Sequence, residues 1–275
     1  SWHEVYNKDW SKVCEQHSVS TLSDEDARTF LAKRSITDPA IVEKIVSQAK
    51  GVPFYLELEA QLYEKTPAEE RTPAVFGGSQ EELIEKWLGH LDRNERATMR
   101  LLAAFGIWDQ ELFRQAVSHF GTGYPATDAE ELGLHWAIEA IGEGRWQLHN
   151  EMAHHLQEHE RQHKRANFEA VHRWGFAYFD APLAELEAKN IQAEDAERLQ
   201  RALSHARNIQ PPAKWVGWLL KRLVQLEKGT IWRPLLVVTE RALHQAEQEL
   251  GGSDPGVAGL LNQQAILLQQ IARYE

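Results

Sequence analysis

Between residues 22 and 63 apolar side chains recur at helical spacing, interrupted by residues that stop and restart helices. Ser23-Asp24-Glu25-Asp26 offers an N-cap followed by early acids, which satisfy free N–H groups and suit the helix dipole. Ala27, Phe30 and Leu31 then form the i, i+3, i+4 stripe of a packed helix. Asp38-Pro39 opens a second helix with Ile41, Ile45 and Val46 on one face, ending at Gly51. Pro53 starts a third, which runs through Leu56, Leu58 and Leu62. From Thr66 to Ser79 the prolines and glycines predict a linker or exposed loop.

A second series of elements follows. Leu83, Trp87, Leu88 and Leu91 predict an amphipathic helix, and Asn94 begins another that carries Met99, Leu101, Leu102 and Phe105. The stretch from Trp108 to Phe120 reads as one further helix. The period then shortens. Residues 137–141, the turn Gly142-Glu143-Gly144, and residues 145–149 read as a short β-hairpin. Helices followed by one small hairpin predict a winged-helix arrangement, with a new helix capped by Asn150. From about Ala166 onward the pattern is helix after helix.

Composition narrows the function classes. Of 275 residues, 43% are hydrophobic and 26% charged, the balance of a folded chain. No apolar run approaches the roughly 20 residues that cross a bilayer, so no membrane partner is expected. A net charge of −11 argues against broad nucleic-acid binding, which needs clustered Lys and Arg. The single cysteine, Cys14, rules out an internal disulfide, fits a reducing, cytoplasmic setting, and reads as an indifferent thiol.

The stretch Pro234 to Glu275 resembles tetratricopeptide (TPR) repeats of the kinesin-light-chain type. The matching positions are Glu240-Arg241-Ala242-Leu243, Leu250-Gly251, Asp254-Pro255, Leu261-Asn262 and Ala265; Gln263 and Gln264 depart from the family pattern. Small residues let paired helices approach, and each repeat buries its apolar face only against a neighbour. In that family a tyrosine placed like Tyr274 leads into the second helix of a repeat, so the chain is expected to be a piece of a longer protein.

The earlier parts resemble the segment that follows the nucleotide-binding core in signal-transducing ATPases with numerous domains, the STAND class that includes NB-ARC and NACHT proteins. Gly51-Val52-Pro53 is similar to the class's Gly-x-Pro motif, and Leu148-His149-Asn150 to its Met-His-Asp motif, with Asn150 in place of the aspartate. The resemblance implies that Pro53 packs near the adenine of a bound nucleotide and that His149 reaches the β-phosphate of ADP. It also implies that ATP or ADP is held by an N-terminal NTPase domain outside these residues. No Gly-x-x-x-x-Gly-Lys-Ser/Thr loop occurs in the chain, and no catalytic residue is assigned.

Other constellations have plainer readings. His155, His159 and His163 share one helical face, as zinc ligands would, but the glutamate of a His-Glu-x-x-His site is missing and the neighbours read as solvated. No metal is therefore assigned. Trp215, Trp218 and Trp232 read as packing residues of the helical array. Residues 110–119 offer only Arg114 as a strong cation, against DNA readout.

The expected fold is mainly α: a helical lid bundle over residues 1–66, a winged-helix domain with one small hairpin over 80–160, and a TPR-like α-solenoid over 166–275. The expected function is a non-catalytic regulatory and sensor segment. A protein or peptide would bind the repeats, the chain's own NTPase domain would be the second partner, and homo-oligomers would form on activation. The alternatives are a plain TPR scaffold with no nucleotide link, a winged-helix transcriptional regulator, and a zinc enzyme.

Overall fold

A computed structural model of the chain describes residues 21–142 and 144–274; Cys14 lies outside them. The protein is mainly helical, with one three-stranded sheet among the described residues. Its contacts divide it into two compact units, one running to His159 and the other from Glu160 onward.

The first unit begins with α1 (Asp24–Lys33), α2 (Pro39–Ala49) and α3 (Pro53–Lys65). Their starts follow the expected chemistry: Ser23 Oγ accepts from the Asp26 N–H, and Asp38 Oδ1 accepts from the N–H groups of Ala40 and Ile41. Both α2 and α3 open on proline, where a missing N–H costs nothing. Lys50 (φ 49°) and Gly51 (φ 73°) form a left-handed turn between them. Gly51 is required there, because its carbonyl accepts the Leu22 N–H at 2.8 Å and a Cβ would overlap the Leu22 carbonyl. The stretch read as an exposed loop is more ordered than expected. It holds a 3₁₀ turn (Ala68–Glu70) and inserts Phe76, fully buried, into the core.

Next come α4 (Gln80–Gly89), α5 (Arg93–Leu102), β1 (Ile107–Asp109), α6 (Gln110–Phe120), α7 (Ala129–Gly133), β2 (Ile138–Gly142), β3 (Arg145–Leu148) and α8 (Asn150–His163). Capping boxes start α4 at Ser79 and α5 at Asp92, so the α5 start lies before the expected Asn94. The expected single helix from Trp108 to Phe120 is in fact a strand and a helix. Trp108, fully buried, pairs with Trp146, and Asp109 then caps α6. The sheet order is β1-β3-β2, all antiparallel. The sheet thus sets the first strand beside the last, with two helices between β1 and the hairpin.

The second unit holds α9 (Arg165–Ala184), α10 (Ala193–Ile209), α11 (Pro212–Leu226), α12 (Trp232–Leu250) and α13 (Pro255–Tyr274), preceded by the end of α8. Each of α9 to α12 packs on the next helix, and α10 and α11 also touch the next but one. Connections of a few residues force neighbours to run antiparallel. Small residues sit at the close approaches: Ala202, Ala206, Ala242 and Ala246 are fully enclosed. Trp215 fills the centre of this core and donates its N–H to Glu249, while Trp232 donates to the Glu227 carbonyl. Trp218 packs edge-on against Phe176 and donates to Asp180. All three tryptophans thus behave as packing residues.

Candidate functional site

Pro53 and His149 are 96 residues apart in sequence, yet the first unit brings their neighbourhoods together. Pro53 is the first residue of α3 and is exposed. Phe54, next to it, is buried and stacks on the His149 ring with centroids 4.2 Å apart and planes 16° from parallel. One residue further, the Tyr55 hydroxyl donates to Glu151 Oε2 at 3.2 Å. Two consecutive residues of α3 therefore grip two residues at the junction of β3 and α8.

His149 is held from three sides. Its backbone N–H donates to the Ala137 carbonyl at 2.8 Å, which extends the hairpin ladder by one bond. Its own carbonyl accepts from the Ala153 N–H, the first turn of α8. Its Nδ1 faces the Glu151 N–H at 3.4 Å. His149, not Asn150, is thus the capping residue of α8, with a ring nitrogen in the place usually taken by a Ser or Asp oxygen. An accepting Nδ1 puts the proton of the neutral ring on Nε2. That nitrogen has no hydrogen-bond partner among the described residues and remains a donor.

Aromatic packing backs this junction. Trp136 lies 5.5 Å from Phe54 and 5.3 Å, edge-on, from Trp87, which is fully buried; His135 also meets Trp87 edge-on. Burial, with a smaller contribution from Lys65, pushes the His135 pKa down to about 4, so this imidazole is neutral near pH 7. Burial, and then the adjacent Glu151 carboxylate, push the Tyr55 hydroxyl upward, so it stays a donor.

The histidine series of α8 serves a different purpose from the one its spacing suggests. Arg100 Nη2 donates to both carboxyl oxygens of Glu85, and His155 Nε2 lies 3.3 Å from the same carboxylate. His159 joins them, its Nδ1 2.8 Å from the Arg100 guanidinium. The set fastens α8 to α4 and α5, helped by Gln157, which donates to the Ala103 carbonyl. Among the described residues no group of three His, Cys, Asp or Glu side chains is arranged around a common metal position. Glu160, read as solvated, is buried and receives hydrogen bonds from Lys164 and Asn167. On α6 the Arg114 guanidinium pairs with Glu111 of the same helix.

Comparison with models of known families, with curated proteins and with solved structures gives no match.

Proposed function

We propose that the chain is a non-catalytic regulatory segment of a STAND-type signalling ATPase, working in the cytoplasm. On this reading α1 to α3 are the lid, the unit around β1–β3 is the winged helix, and α9 to α13 are the start of a TPR-like array that takes a protein or peptide. The observation that carries it is the stack of Phe54 on His149. It joins the neighbour of Pro53 to His149, which supports a reading in which both residues meet one nucleotide. A donor Nε2 on His149 suits a phosphate oxygen, and the exposed Pro53 ring suits the face of a base. The arrangement α9–α13, in which helices touch the next and next-but-one, supports the repeat reading.

Regulation then follows as a two-state equilibrium. With ADP held by the NTPase domain, His149 and Pro53 favour the closed form. A partner that binds the repeats better in the open form shifts the balance toward nucleotide exchange and self-assembly. The exposed pair of Arg114 with the neighbouring acid Glu111 weighs against the transcription-factor alternative.

The test uses the intact protein that contains these residues. It should co-purify with ADP, and His149→Ala should speed ADP release about tenfold, the loss of one hydrogen bond to a charged group. Intact protein that neither holds nor exchanges adenine nucleotide would overturn the reading in favour of a plain repeat scaffold.

A further inference from the structure

Glu59 is fully buried in the middle of α3, and neither carboxyl oxygen has a hydrogen-bond partner. A carboxylate in that position would lose its hydration with nothing in return, so burial raises its pKa to about 7. Two cations oppose that rise, Lys86 of α4 and Lys44 of α2. Neither is spent on Glu59. Lys86 Nζ donates to the Val75 carbonyl at 3.1 Å, and the Lys44 side chain lies across Gly77, where a Cβ would overlap it. Phe76, between those two anchor points, is the buried plug of the strap that joins α3 to α4.

Several other charges on these elements are engaged elsewhere. From α1, Arg34 pairs with Glu57 and Glu64 of α3. On α2, Glu43 pairs with Arg28. On α4, Glu82 completes the Ser79 capping box and Glu85 binds Arg100. Within the strap, Arg71 lies over the Tyr63 ring and donates to the Thr66 carbonyl. Lys44 and Lys86 are the cations that act on Glu59, and both lean on the strap.

We propose that Glu59, Lys44 and Lys86 form a proton-operated latch that holds the strap of residues 71–79 down while Glu59 is protonated and releases it when Glu59 ionises. A neutral Glu59 leaves Lys86 on the Val75 carbonyl and Phe76 seated. An ionised Glu59 demands a partner. It either draws a lysine away from Val75 or Gly77, or admits water past Phe76, and each route lifts the strap. The latch does not depend on the nucleotide reading.

Hydrogen exchange of the strap amides tests it, with rates normalised for the intrinsic effect of pH. With a pKa of about 7, protection at Val75 and its neighbours should fall about thirtyfold between about pH 5.5 and about pH 8.5. Glu59→Gln should show the same protection at both values. Lys86→Met, which lacks the amine on the Val75 carbonyl, should lower protection even at the acid end. Carboxyl carbon NMR of the wild-type chain gives a readout that needs no variant, with an expected midpoint near 7. Strap protection independent of pH, a pH step that survives in Glu59→Gln, or a Glu59 midpoint in the ordinary carboxylate range would each overturn the latch.

Discussion

Asp180 in the second unit and Glu59 in the first are both carboxyls turned inward from a helix, and their surroundings treat them in opposite ways. Asp180 accepts from Trp218 Nε1 at 2.9 Å and from Arg222 at 2.7 and 3.0 Å. Arg222 is in turn steadied by Gln225, whose amide donates to the Leu183 and Leu186 carbonyls at the end of α9. The donors of that set meet acceptors, and α9 is fixed to α11. Glu59 has no such set and keeps its place by holding a proton. The second unit uses buried polarity to fasten helices; the first stores a group that charges near neutral pH. Glu59 should respond to acid in the opposite sense to the buried imidazoles of both units.

The largest expected effect comes from breaking the satisfied set. Asp180→Ala leaves the Arg222 guanidinium and the Trp218 N–H without their acceptor, at a cost of about 3 kcal/mol. Denaturant melts followed by exchange within residues 160–274 should show it. A loss below about 1 kcal/mol would mean that the set is no more than a surface pair.

Next is the pH response itself. His172 and His205, 33 residues apart, meet in the second unit at 2.9 Å between Nδ1 atoms. Burial pushes His172 down to about 4 from an ordinary 6.5, and drives His205 well below that ordinary value. The folded form then binds fewer protons than the unfolded chain between those limits. Stability contributed by this pair is complete above about pH 6.5 and is lost as pH falls toward 4, by about 3 kcal/mol from His172. Glu59 acts in the other direction. The folded form keeps a proton that the unfolded chain loses above 4.5, so the contribution of Glu59 to the first unit is lost as pH rises from there to about 7, against a gain from His135, which burial holds down to about 4. Exchange-detected stability of the second unit should rise from about pH 4 to about pH 8, whereas the stability that Glu59 adds to the first unit, read as wild type minus Glu59→Gln, should fall; parallel slopes would break the comparison.

Two smaller effects belong to the first unit. Gly51→Ala forces a Cβ into a left-handed residue and against the Leu22 carbonyl, for about 2 kcal/mol. His149→Ala removes the cap of α8 and the stack on Phe54, for about 1 kcal/mol in thermal melts. An undiminished melting temperature in His149→Ala would show that the backbone bonds at Ala137 and Ala153 hold the junction without the ring.

Helix placement was legible because caps and apolar stripes agree: Ser23, Asp38-Pro39 and Pro53 start helices where the stripes begin. β1 was not legible. Three residues are too few for an alternating pattern, and Trp108 falls in helical phase with Leu112 and Phe113, so the strand merges with α6. The cap shift from Asn94 to Asp92 lies between side chains that sequence offers as equal candidates, whereas that from Asn150 to His149 puts a ring nitrogen where an oxygen is usual. Glu59 has a signal in the sequence: it lies three residues after Leu56 and three before Leu62, on the buried stripe. The meetings of Phe54 with His149 and of His172 with His205 are tertiary, and no local pattern announces them. Pro53 and His149 were singled out by resemblance to a family's motifs, and their own spacing says nothing of proximity.

The hydrogen bond from Leu22 to Gly51 has a mechanical meaning. It clips the chain entering α1 to the turn that launches α3, two residues before Pro53. Tension applied ahead of α1 therefore bypasses α1 and α2 and loads the root of α3 directly. From there the load path runs through Phe54 and Tyr55 to His149 and Glu151, like a short crank between the start of the first unit and the foot of α8.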